Sequence, residues 1–234
     1  MRGFLYGVYL QWKLDIRSKT MLITCYLVPL LFFAMMGGIF SATLPERALI
    51  PSMTVFGVTM GALIGLPPSL VEIYGTGVQK VYRANGVPRC LGLVLTNLSG
   101  YIHLLIMSGI LYLAAPVAFS AEAPAHPGLY FGGLALFTAV SLSVASVIGL
   151  AVKDQAKTPM VSLLIFLPSI MLSGILFPIA LLPPALAALG KLFPATWAYR
   201  LITGQGSALW PLLAMLLVAV ALNPVLLHKT GKTN

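Results

Sequence analysis

Ser173–Gly204 reads SGILFPIALLPPALAALGKLFPATWAYRLITG. Pro178, Pro183, Pro184 and Pro194 interrupt it. Proline removes an amide donor and clashes with the preceding helical turn, so one continuous spanning helix is excluded. The stretch is nevertheless too apolar for a loop in water. The physical solution is a pair of short helices that dip back into one face of a membrane protein. Proline suits the first turn of each, and neighbouring protein shields the breaks. This re-entrant segment, 177–204, is expected between a fifth and a sixth span, on the extracytoplasmic side.

Composition demands a membrane around it. The 234 residues are 59% hydrophobic and 8% charged, with a mean hydropathy of +0.97. A soluble domain carries about 25% charged residues, so this chain cannot cover a water-facing surface. Long apolar runs suit helices rather than the alternating strands of a barrel. The expected fold is an all-α integral membrane protein forming a single transmembrane domain over 1–234. Six spans are expected, at about Met21–Phe40, Leu49–Leu70, Cys90–Ala114, Leu129–Val152, Met160–Leu176 and Leu209–Leu227. The first apolar run begins too far from Met1 for a signal peptide and reads as a retained span.

Six crossings put both termini on one side, and charge selects which. With the N-terminus inside, Arg2, Lys13, Arg17, Lys19, Lys80, Arg83, Arg89, Lys153, Lys157, Lys229 and Lys232 are cytoplasmic, leaving Arg47, Lys191 and Arg200 outside. This follows the positive-inside bias of multi-pass proteins in a cell membrane, such as an inner membrane. The net charge of +9 thus reports orientation rather than nucleic-acid binding. At the N-terminus, Leu5, Val8, Tyr9, Trp12 and Ile16 form one helical stripe. Residues 1–19 read as an interfacial helix on the cytoplasmic leaflet, with Trp12 anchoring among the headgroups.

The longest hydrophilic segment inside is Glu72–Cys90, EIYGTGVQKVYRANGVPRC. Gly75–Thr76–Gly77 permits a turn, Val78–Ala84 a short helix exposing Lys80 and Arg83, and Gly86 and Pro88 a stop. Such a helix could pass force from a soluble partner to two membrane helices. Glu72 would tie the second span to it through Arg or backbone N–H contacts. Gly75 and Gly77 make no nucleotide fingerprint, because no strand precedes them and no third glycine follows.

Here the chain resembles the type-2 ABC transporter permeases. Glu72, then Gly75–Thr76, Arg83 and Gly86–Val87–Pro88–Arg89 resemble that family's cytoplasmic signature. Ser173–Gly174, Phe177–Pro178, Leu181–Leu182–Pro183–Pro184 and Phe193–Pro194 resemble its re-entrant segment. Ala195–Thr196–Trp197–Ala198–Tyr199 departs from the commoner Leu-Thr-Tyr-like run, which leaves subfamily and cargo open. The resemblance implies a transport subunit paired with a second permease copy and driven by separate cytoplasmic ABC ATPase subunits. Residues 72–89 (Glu72, Gly75, Thr76, Val78, Lys80, Arg83, Pro88 and Arg89) would contact the ATPase. The interface between two permease copies would form the cargo path. Phe177, Pro178, Pro183, Pro184, Pro194, Trp197 and Tyr199 mark the re-entrant segment.

The residues support that division of labour. Gly231–Lys232–Thr233 mimics the end of a phosphate loop, but Leu226 stands where its first glycine belongs. No cofactor is expected on this chain, with ATP and Mg on the partner. Cys25, Cys90 and the scattered histidines offer no metal site or disulfide framework. Gly57, Gly61 and Gly65 line one face of the second span, for helix packing or for a dimer seam and cargo path. Asn97 and His103, inside the third span, serve either interhelical hydrogen bonds or cargo. Ser141, Ser143 and Ser146 read as small packing residues. Pro67–Pro68 would loosen the second span above Glu72.

The expected activity is ATP-driven export of an amphipathic or lipophilic cargo, as in multidrug or lipid efflux. The aromatic and Met-rich first two spans suit such a molecule. A polysaccharide or lipid-linked glycan is the alternative within the family, and a passive channel or secondary carrier the alternative outside it. A membrane-embedded enzyme would need clustered acids, histidines or an activated nucleophile. Five acidic residues and three histidines scattered along the chain do not supply them.

Overall fold

In the computed structural model, residues 2–40, 49–75, 82, 84–152, 154–204 and 208–230 are described. Among them the regular structure is helical throughout, with no strand. Helix α1 is Arg2–Arg17. Ser18 separates it from α2, Lys19–Ile39, and its hydroxyl caps the new helix by accepting from Met21 N–H at 3.3 Å. Then come α3 (Leu49–Gly75), α4 (Cys90–Phe119) and α5 (Pro127–Ala151). The remainder are α6 (Thr158–Met171), α7 (Pro184–Gly190), α8 (Pro194–Ile202) and α9 (Leu209–Thr230).

Among the described residues five helices, α2, α3, α4, α5 and α9, are long and apolar enough to cross a membrane. The expected fifth span, Met160–Leu176, is a shorter helix, α6, of 14 residues. At 1.5 Å per residue it covers about 21 Å, less than the roughly 30 Å hydrocarbon core. It stops for local reasons. Ser173 donates its hydroxyl to the Ile170 carbonyl at 2.7 Å, and Gly174 turns left-handed at φ +87°, a conformation glycine adopts without penalty.

The core surrounds α3 and α5. Helix α3 is almost wholly buried, whereas α2 and α9 leave most of their apolar side chains facing outward. Helix α5 packs against α3, α4, α8 and α9. Its Tyr130 and Phe137 are fully buried, and Tyr130 Oη pairs with Thr54 Oγ1 of α3 at 2.7 Å.

Two wide, π-type turns interrupt α2 and α3, at Ile23–Leu27 and Gly61–Gly65. Both precede proline. Pro29 has no amide for the Cys25 carbonyl, and Pro67 and Pro68 have none for Leu63 and Ile64. The backbone compensates by widening, and Val28 N–H reaches Ile23 O. The two turns touch each other. Cys25 Sγ lies 4.0 Å from the Gly61 carbonyl.

Candidate functional site

The segment 72–89, expected to meet an ATPase, connects the end of α3 to the start of α4. Glu72 and Gly75 are exposed on the last turn of α3, and Pro88 and Arg89 are exposed just before α4. Thr76, Val78, Lys80 and Arg83 lie outside the described residues. So does most of the expected helix Val78–Ala84. Its end is visible: Val87 N–H bonds the Tyr82 carbonyl at 2.9 Å and Gly86 sits at φ +66°. That is the hydrogen-bonding pattern of a glycine-terminated helix.

The two ends of the segment are joined by Tyr74, buried between them. Its hydroxyl donates to the Arg89 carbonyl at 2.7 Å and accepts from Leu93 N–H at 2.8 Å. Residues 89 and 93 stand four apart, so an α-helix would bond them directly. Tyr74 instead inserts into that first turn and completes both groups. Gly92 makes the approach possible. A Cβ there would meet Ile73 Cγ2 at 3.0 Å and Tyr74 Oη at 3.4 Å. The sequence reading passed over Tyr74, although it stands between Glu72 and Gly75 in the quoted motif.

On the opposite side, the proline-broken stretch forms two short helices, α7 and α8, beginning at Pro184 and Pro194. Phe177 is exposed, Pro178 precedes a single 3-10 turn, Ile179–Leu181, and Pro183 precedes α7. The two helices are tied at their junction. Thr196 Oγ1 donates to Gly190 O at 2.6 Å and Trp197 Nε1 to Lys191 O at 2.7 Å. Arg200 lies 5.4 Å from the centroid of the Trp197 ring, a cation–π contact. Gly190 touches the turn after α6, where a Cβ would come 2.5 Å from the Leu172 carbonyl oxygen. Tyr199, half-buried, accepts at its carbonyl from Thr203 Oγ1.

The glycine face of α3 meets α2 and α4. A Cβ on Gly57 would meet Met107, on Gly61 Leu104 and Cys25, and on Gly65 Thr24 and Cys25. Asn97 donates to Ser146 Oγ of α5 at 2.8 Å and to Leu93 O at 2.8 Å. His103 Nδ1 pairs with Tyr26 Oη of α2 at 2.7 Å, while its Nε2 is buried without a partner. These polar side chains join helices within the chain.

Trp12 corrects an expectation. It stacks on His103, ring centroids 4.5 Å apart and planes 15° apart, so it packs on protein rather than among headgroups. The reason is a neighbour the sequence reading missed. Asp15, on the same face of α1, is 7% exposed, accepts from Ser99 Oγ of α4 and from Gln11 Nε2 at 3.0 Å. Pairing this carboxylate turns Trp12 inward and leaves Leu5, Tyr9 and Ile16 of the expected stripe exposed. The signal was present as Gln11, Trp12 and Asp15 at helical spacing.

An apolar cavity of about 440 Å³ lies among α3, α5, α6, α9 and the Leu192–Pro194 turn. Thr59, Ser141 and Ser169 are the hydroxyl residues in its wall. The hydroxyls of Ser141 and Ser169 have no hydrogen-bond partner. No cluster of three potential metal ligands occurs among the described residues.

No curated protein matches the sequence significantly. The family model described as ABC-2 type transporter matches residues 4–205, most of the chain, including both segment 72–89 and the proline-broken helices. Members of that family are membrane permease domains that work with an ABC ATPase and do no catalysis themselves. The chain, a multi-pass helical membrane protein, therefore belongs to the ABC-2 type transporter family and is an ABC transporter permease.

Proposed function

We propose that this permease is one half of a dimeric exporter that moves an amphipathic or lipophilic cargo by alternating access. The observation that carries the coupling half of this reading is the Tyr74 bridge. Segment 76–88 starts and ends on one hydrogen-bonded unit of α3 and α4. A push on that segment by a cytoplasmic ATPase would reach both helices together. The wide turns above it, next to Pro29 and Pro67–Pro68, supply the place where α2 and α3 can flex. ATP binding drives the cycle to the extent that it stabilises one state more than the other.

In this reading α6 makes the sixth crossing, with α7 and α8 filling the remaining depth as a re-entrant pair. Both termini are then cytoplasmic. Met160, Leu163, Leu164, Leu167 and Met171 leave an exposed apolar stripe on α6, which supports a seam with a second copy. The apolar wall of the 440 Å³ cavity supports a lipophilic rather than an ionic cargo.

The test is Glu72→Ala in the permease co-reconstituted with its ATPase. The variant should insert and assemble normally, while cargo-stimulated ATP hydrolysis and transport fall severalfold. Undiminished transport by a correctly assembled Glu72→Ala complex would overturn the coupling role. Transport of a polyprenyl-linked sugar by a complex indifferent to amphipathic compounds would overturn the cargo class.

A further inference from the structure

Helices α4, α5 and α9 enclose a second concavity of about 550 Å³, outside both segments discussed above. Its walls are apolar, from Leu93, Leu98 and Leu142, and its rim is open to the outside, with Cys90, Val94 and Val220 exposed. Along α4 it runs from Cys90 to Tyr101, about 16 Å at 1.5 Å per residue. That is about the hydrocarbon depth of one leaflet, half of the roughly 30 Å core.

One hydrogen-bond acceptor in this groove is left over. Asn223 of α9 lines it and is 9% exposed. Its amide nitrogen donates to Ser143 O at 3.3 Å, which fixes which end of the side chain is oxygen. That oxygen, Oδ1, is buried without a partner. The next residue, Pro224, also lines the groove. Asn97, by contrast, spends both ends of its amide on Leu93 and Ser146. A buried acceptor without a donor is unfavourable in an apolar setting, and lipid tails supply no donor.

We propose that this groove is a binding site for a membrane amphiphile of the leaflet at the Cys90 end of α4. Its chain lies along Leu93, Leu98 and Leu142, and a hydroxyl or amide N–H near the head of that chain donates to Asn223 Oδ1. The proposal rests on the multi-pass reading of the chain but not on the transport cycle, the dimer or the orientation. In the orientation proposed above, the leaflet is the cytoplasmic one.

Cys90 sits at the mouth of the groove, is exposed, and has one fellow cysteine, buried Cys25. Its modification by a maleimide therefore reports occupancy. The full-length chain is placed in phosphatidylcholine nanodiscs, whose lipid carries no hydrogen-bond donor and whose two faces are both open. Monolauroylglycerol, which has hydroxyl donors, is compared with methyl laurate, which has none. Monolauroylglycerol should slow Cys90 labelling severalfold and saturably. Methyl laurate should need about tenfold more, the ratio expected for one buried hydrogen bond. Asn223→Leu should erase that difference while keeping the protection by chain alone. Equal protection by the two probes in the natural protein, or protection by neither, overturns the proposal, whether or not the variant inserts. Because this assay contains no ATPase, its failure would leave the coupling and cargo readings standing.

Discussion

At the scale of single residues, the proposed coupling turns on Tyr74. Its hydroxyl stands in for a helix hydrogen bond between Arg89 and Leu93. Tyr74→Phe removes that insert but allows residues 89 and 93 to bond each other directly. The expected loss of stability is therefore small, about 1 kcal/mol. The expected functional loss is larger, because α3 and α4 no longer move as one unit. Thermal unfolding should shift by only a few degrees while cargo-stimulated ATP hydrolysis drops severalfold. A variant that keeps full stimulation would show that the bridge is only structural. Glu72, named from sequence, and Tyr74, found in the structure, are two residues apart. A glutamate at a membrane boundary attracts notice by its charge. A tyrosine there resembles the many interfacial tyrosines of membrane proteins, and nothing local tells which one reaches back into a neighbouring helix.

At the scale of elements, α1 is held by a polar face and shows its apolar residues outward. Phe4, Leu5, Tyr6, Tyr9, Leu10 and Leu14 are exposed, a surface suited to lipid. Gln11, Trp12 and Asp15 meet α4 through one polar face. Hydrogen bonds to a charged group contribute roughly 1.5–3 kcal/mol, so Asp15→Ala should loosen α1 without unfolding the spans. Lys13 and Arg17 are exposed on α1, and tryptic cleavage at them reports local opening. Cleavage should accelerate about tenfold or more in Asp15→Ala, with thermal unfolding of the bundle little changed. Cleavage at the natural rate would mean that packing, not the carboxylate, holds the helix. The amphipathic period of α1 was legible. Which side faced protein was not, because the stripe and the buried carboxylate overlap at Trp12.

At the scale of the whole molecule, the proposed sixth crossing is divided between α6 and the two short helices. Six crossings place both termini on one side, and five place them on opposite sides. Reporter domains fused in turn to Met1 and Asn234 should both be cytoplasmic, as the positive-inside bias of lysine and arginine predicts. An extracytoplasmic C-terminus with a cytoplasmic N-terminus would demote α6 to a partial span and remove the basis for the re-entrant pair. Either result leaves the membership of the family intact, since that rests on residues 4–205 as a whole.

Local chemistry alone determined that this chain lies in a membrane as helices, roughly where those helices run, and that Ser173–Gly204 breaks at its prolines. Hydropathy and proline act within one turn or one span, so a single stretch of sequence carries their full effect. It also carried the family signature, because that signature consists of short motifs in order. Only the tertiary structure decided which side chains meet. Asp15 pairs across 84 positions with Ser99, Tyr26 across 77 with His103, and Asn223 across 80 with Ser143. Each of these partners lies on another helix, and which helix that is depends on how the whole bundle packs.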